Sequence, residues 1–145
     1  MNVGQHVYGP SNLNKLLCDA AESHAPRECC GLLLGRHSDG ACEINRWAEI
    51  ANLATDPDSF FMDPFQYRQI ERQCGPQDVE ILGVFHSHPG GLGLPSLEDE
   101  KAVRQQWGAE SDWIYLICGL KELPGPKVRG WGWRDNAFYE LILHL

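Results

Sequence analysis

The stretch "VEILGVFHSHPGGLGLPSLEDEKAVRQQWG", residues 79–108, limits the fold more than any other part of the chain. Its largely apolar opening, "VEILGVF", has the length and character of a buried strand, and it ends on two histidines one residue apart. The loop "PGGLGLP" then breaks any regular structure with three glycines and two prolines. "SLEDEKAVRQQWG" reads as a helix, with Ser96 at its N-cap and Asp99 three residues on, and "WIYLICGL" follows as another strand. Strand, helix and strand in succession call for helices laid over a sheet.

The rest of the chain extends that pattern. Residues 11–23, "SNLNKLLCDAAES", place Leu13, Leu16, Leu17 and Ala20 at helical spacing behind a Ser11 N-cap, and Pro26 ends the helix. Two strands follow about the turn "SDG", the second alternating Ile44, Arg46, Ala48 and Ile50 against polar neighbours. A further helix starts after Asp63, with Pro64 suited to its first position, and stops at Cys74, Gly75 and Pro76. The last segment, "KVRGWGWRDNAFYELIL", reads as a hairpin turning at "RDN". Trp131 and Trp133 share one face of it and belong to the core, and Phe138, Glu140 and Ile142 share a face of the return strand. The expected fold is α/β or α+β, a central mixed β-sheet flanked by helices, and 145 residues predict one domain over 1–145.

Composition narrows the partners. A formal charge of −8 argues against a nucleic-acid surface, which needs clustered Lys and Arg, and against an anionic membrane. A protein or small-molecule partner is expected instead. The start, "MNVGQHVYGPSN", lacks a charged region followed by an apolar one, and no apolar run reaches the ~18 residues of a membrane span, so the chain is expected in the cytoplasm. The six cysteines are scattered with no CxxC pair and read as small reduced hydrophobes.

His86 and His88 occupy positions i and i+2 at a strand end. On an extended backbone their Cα atoms lie roughly 6.5 to 7 Å apart on one side, so both imidazoles can reach one ion at about 2.0 to 2.1 Å. If the glycine-rich loop folds back, Asp99 adds an anionic third ligand from the first turn of the helix. Two histidines and one carboxylate suit Zn²⁺ and leave a fourth position for water, the pattern of a catalytic zinc. The same residues admit a plainer reading, in which Ser96 and Asp99 only cap a helix and the histidines only face solvent. His6, His24, His37 and His144 lack partners at ligand spacing and read as surface or packing residues. Ser87 points away from the two histidines, and Glu98 and Glu100 suit the dipole of the helix start.

"HSHP", seven residues from Pro89 to Pro95, and then "SLED" resemble the signature of the JAMM/MPN+ zinc metalloproteases, the Mov34/MPN/PAD-1 family. Upstream, "HAPRECCGLLLG" is similar to that family's Pro-x-Glu-x-Cys-Gly segment, and "FFMDPFQY" resembles its short Phe and Asp-Pro stretch. The likeness runs from about residue 10 to about residue 120. It implies the JAMM/MPN, cytidine-deaminase-like architecture, with one Zn²⁺ per chain held by His86, His88 and Asp99. It further implies Glu28 as general acid/base and Ser96 as the hydrogen-bond donor to the oxyanion.

The family cuts peptide or isopeptide bonds after the C-terminal tail of ubiquitin or ubiquitin-like proteins. Such a Gly-rich tail could add to a sheet edge beside the zinc. The short chain is similar to the compact prokaryotic members, which implies ubiquitin-like sulfur carriers as substrates. A non-catalytic MPN scaffold that binds partner proteins is the alternative, although scaffolds of that kind usually lack the ligand set. A zinc deaminase would need P-C-x-x-C and H-x-E, and neither is in the sequence.

Overall fold

The computed structural model describes residues 5–145; the first four residues of the start read above for a leader lie outside the described residues. Ten elements follow one another: β1 (His6–Tyr8), α1 (Leu13–His24), β2 (Cys30–Ser38), β3 (Ala41–Ile50), α2 (Pro64–Cys74), β4 (Glu80–His88), α3 (Leu97–Trp107), β5 (Ser111–Gly119), β6 (Lys127–Arg134) and β7 (Ala137–His144). The strands run in the order β1-β3-β2-β4-β5-β6-β7, and β1 also pairs with β7, so the mixed sheet closes on itself. The expected mixed sheet with flanking helices is present. The strand β1 has no counterpart in the sequence reading.

The sheet curls around α1. Leu13, Leu17 and Ala21 of that helix pack with Val7, Leu33, Leu82, Phe85 and Leu116. On the other face, Leu32, Leu34 and Ile50 lie under Tyr67 and Ile70 of α2, while Tyr115, Ile117, Trp131 and Trp133 pack with Val103 of α3. Trp133 is 1% exposed, so the Trp pair is core as expected. The start of α1 differs from expectation: Asn12 precedes the helix in place of Ser11, and the Leu13 amide is satisfied by the Pro10 carbonyl at 3.0 Å. The buried stripe accordingly runs through Leu13, Leu17, Cys18 and Ala21, and Leu16 faces outward.

The expected alternation of β3 is also corrected. Leu34 pairs with Arg46 and Gly35 with Ile44, so Asn45 is an unpaired extra residue. Such a bulge reverses the side on which later residues point. Ile44 therefore packs on the α1 side with Cys42, whereas Ala48 and Ile50 pack under α2. Gly35 makes the bulge possible, since a Cβ there would stand 2.0 Å from the Glu43 carbonyl oxygen.

The parallel pair β4 and β5 is bridged by α3, which sets the C-terminal end of β4 against the start of that helix. Gly83 lets these strands approach, because a Cβ would lie 1.8 Å from the Ile114 carbonyl oxygen. The "RDN" turn has φ of 53° at Asp135 and 62° at Asn136, a left-handed pair that Asp and Asn tolerate and a two-residue hairpin needs.

Candidate active site

His86 and His88 end β4 with their Nε2 atoms 3.1 Å apart. The return loop brings Asp99 to them: its Oδ1 lies 3.3 Å from His86 Nε2 and its Oδ2 3.4 Å from His88 Nε2. The loop is tied down at several points. The Gly91 and Leu120 amides both donate to the His88 carbonyl at 3.2 Å, and Trp131 Nε1 donates to the Gly93 carbonyl at 2.9 Å. Beyond the loop, Ser96 and Asp99 form a full capping box. The Asp99 amide donates to Ser96 Oγ at 3.1 Å and the Ser96 amide to Asp99 Oδ2 at 2.8 Å. The cap and the cluster therefore share one carboxylate.

Glu28, His86 and His88 each place one donor atom within 4.8 Å of the other two, a group that could hold a cation, and Asp99 turns one oxygen toward each histidine. Ligand atoms bound at about 2.0 to 2.1 Å stand ~3.3 Å from one another in a tetrahedral site, close to the 3.1 Å between the two Nε2 atoms. His88 Nδ1 donates its proton to the Leu92 carbonyl at 3.0 Å, which turns the Nε2 lone pair inward, as second-sphere partners of ligating histidines do. Burial pushes the Asp99 carboxyl up, but hydrogen bonds from His86 and His88 outweigh it and hold Asp99 well below the ordinary carboxylate range. The same pairing lifts His88 above its ordinary value against the opposing effect of burial.

Glu28 lies just before β2, 7% exposed, with a carboxylate oxygen within 4.8 Å of ring nitrogens of His86 and His88. Its backbone is pinned on both sides. The Cys29 amide donates to Ser87 Oγ at 2.8 Å and the Ser87 amide to the Cys29 carbonyl at 3.0 Å, so Ser87 faces away from the site, as expected, and joins Glu28's segment to β4. Asn52 Nδ2 donates to the Glu28 carbonyl at 3.0 Å. Burial pushes the Glu28 carboxyl up to about 7; His88 opposes this, and Asp99, Asp58 and Glu98 add to it.

Asn52 and Phe60 escaped the sequence reading. Asn52 also donates to the Ser59 carbonyl and accepts from the Ala54 and Phe61 amides, so one side chain organises the loop after β3. That loop lays Phe60 on His86, ring centroids 4.6 Å apart. An aromatic in "FFMDP" was visible in the sequence, but the histidine beneath it lies on another strand. Glu28, Ser96, His86 and Asp99 line a cavity of about 470 Å³ that extends over Val84, Tyr115 and Ile117. The histidines outside the site do have partners in space. His6 stacks on Tyr8 and His144, His37 lies 2.6 Å from Glu80, and His24 lies 3.9 Å from Glu49. No helix among the described residues is long and apolar enough to cross a membrane.

Residues 10–133 match the family model described as prokaryotic homologs of the JAB domain. A desampylase of Haloferax volcanii is 27% identical over 124 residues, 85% of this chain and 81% of that protein. A desampylase of Pyrococcus furiosus is 28% identical over 65% of this chain and 61% of its own length. A "Probable TtuB-protein conjugate cleaving protease" of Thermus thermophilus is 31% identical over 55% of this chain and 51% of its own length. Among solved structures, a Desulfitobacterium hafniense protein superposes with a TM-score of 0.80 at 26% identity, covering 94% of this chain and 90% of that one. A Salinibacter ruber protein shares the fold with a TM-score of 0.66 at 22% identity, over 95% of this chain and 90% of that one.

Proposed function

The chain belongs to the family of prokaryotic homologs of the JAB domain, and from that premise we propose that it is a zinc-dependent peptidase acting at the C-terminus of a ubiquitin-like protein. The observation that carries the reading is the cluster of His86, His88 and Asp99, with the two Nε2 atoms 3.1 Å apart, one Asp99 oxygen facing each histidine, and Glu28 beside them. The names of the relatives, two desampylases and a conjugate-cleaving protease, support the same class of substrate.

In this reading His86, His88 and Asp99 hold one Zn²⁺. When bound, zinc supplies a water of lowered pKa and polarises the scissile carbonyl. Glu28 takes the proton of the attacking water and returns it to the leaving amine. Glu28 is placed for that exchange by its burial beside the two histidines. Ser96 donates its hydroxyl proton to the oxyanion while its oxygen continues to accept from Asp99, so capping and catalysis use different parts of one group.

The tail is expected to approach along the 58–62 segment. β4 is hydrogen-bonded to β2 on one side and β5 on the other, so it offers the substrate no free edge beside the histidines. The segment of Asp58, Ser59, Phe60 and Phe61 does line the cavity. Zinc-loaded protein incubated with ubiquitin-like proteins carrying C-terminal extensions, followed by mass spectrometry, should reveal cleavage after the terminal glycine. Cleavage at an undiminished rate by Glu28→Gln would overturn the role given to Glu28, and no cleavage of any such protein would overturn the substrate class.

A further inference from the structure

A second group of metal-capable side chains gathers among the described residues. His24 at the end of α1, Cys29 directly after Glu28, and Glu49 of β3 each place one donor atom within 4.8 Å of the other two. Glu49 Oε1 lies 3.9 Å from Cys29 Sγ, and Glu49 Oε2 lies 3.9 Å from His24 Nε2.

Four further features shape this cluster. His24 Nδ1 is 2.8 Å from the Ala20 carbonyl oxygen and donates its proton there, so the Nε2 lone pair is turned toward Glu49, the orientation that ligating histidines adopt. Cys29 is fixed through both its amide and its carbonyl by Ser87. The bulge at Asn45 reverses β3 so that Glu49 points away from Ala48 and Ile50, toward α1. His24 and Glu49 also open onto a cleft of about 510 Å³ that Gln66, Gln69 and Gln73 border, which gives an ion a route in.

We propose that His24 Nε2, Cys29 Sγ and the Glu49 carboxylate form a second cation site, taking a borderline-soft divalent ion such as Zn²⁺ with solvent at the remaining position. A nitrogen and a sulfur donor select against Mg²⁺ and Ca²⁺, which take oxygen ligands. Burial, together with Glu49, pushes the free Cys29 thiol up to about 12, so binding replaces the thiol proton with the ion and releases that proton to solvent. No oxidation state changes. The ion would join the end of α1 to β3 across the segment that carries Glu28, and so act as a positioning element for that residue. The inference rests on residues separate from the His86 triangle and stands or falls independently of the peptidase reading.

The test is an anaerobic titration of the reduced, metal-free full chain with Co²⁺. Two equivalents should bind, and one should develop a near-ultraviolet thiolate-to-cobalt charge-transfer band that a site of two histidines and an aspartate cannot produce. His88→Ala should remove one equivalent and keep the band. Cys29→Ser should abolish the band, and His24→Ala, a change at an exposed side chain, should weaken the band-forming site more than about tenfold. Absence of a sulfur band in the wild-type protein, its survival in Cys29→Ser, or its loss in His88→Ala would overturn the second site. A single equivalent carrying the band would uphold it and count against the His86 triangle instead.

Discussion

Glu28→Gln should make the metal-free protein more stable at pH 8 while leaving it unchanged at pH 4. The substitution keeps shape and volume and removes only the capacity to ionise. In the folded chain the Glu28 carboxyl is raised from 4.5 to about 7, chiefly by burial. Between those values the folded state binds a proton that the unfolded state has lost, so folding stability falls as pH rises through the window. Below pH 4.5 both states are protonated and the effect vanishes. Above pH 7 it is complete, and at ~1.36 kcal/mol per pH unit it amounts to about 3 kcal/mol.

For a chain of 145 residues that corresponds to about 10 °C in Tm. Urea denaturation of wild type and variant in the presence of chelator, at pH 4 and pH 8, reads Glu28 together with its coupling to His88, since the groups away from the site are common to both. Saturating zinc should shrink the difference, since a cation beside Glu28 favours its ionised form. Equal offsets at the two pH values, or a variant less stable than wild type at pH 8, would refute the reasoning.

Three other outcomes are expected. Asn52→Ala removes four hydrogen bonds at once and should cost about 2 to 4 kcal/mol, with faster limited proteolysis between residues 53 and 61; unchanged proteolysis would show that the loop holds itself. Gly83→Ala should lose soluble expression or at least about 3 kcal/mol, because no rotamer change relieves a backbone clash, whereas Gly90→Ala and Gly91→Ala, with open space around them, should behave as wild type in the same thermal melt. Ser96→Ala should lower stability by about 1 kcal/mol as a lost cap and raise the barrier to cleavage by about 2.7 to 4 kcal/mol; a loss of stability alone in paired melts and kinetic assays would leave Ser96 with only its structural duty.

The helix around Asp63 and Pro64, the capping box at Ser96 and the strand before His86 were legible because each is written in adjacent residues. Asp63 does accept the Phe65 amide at 2.9 Å. The gathering of Asp99 with the two histidines was legible for a similar reason, as strand, loop and helix are consecutive. β1 was not, since three residues carry no periodicity and its partners lie on β3 and β7, far along the chain. Asn45 was hidden because a bulge is a relation between two strands, while alternation is read along one. Asn52 looks like any loop asparagine until its four partners are assembled around it. His24 has no partner at ligand spacing along the chain, because its neighbours are distant in sequence and adjacent only across the packing of α1 on β3.

The bulge at Asn45 has a consequence for how this chain can change. A strand that reverses its sides midway has two phases, and the join between them is a single residue. Deleting Asn45 would bring Arg46 directly after Ile44, close the bulge and leave the Gly35–Ile44 and Leu34–Arg46 pairs in place. Trp47 would keep facing α1, and Ala48 and Ile50 would keep facing α2, because simple alternation from Ile44 then gives the faces already seen. A one-residue deletion is therefore taken up at position 45, where the residue has no partner on β2, and costs a ladder pair anywhere from Arg46 to Ile50.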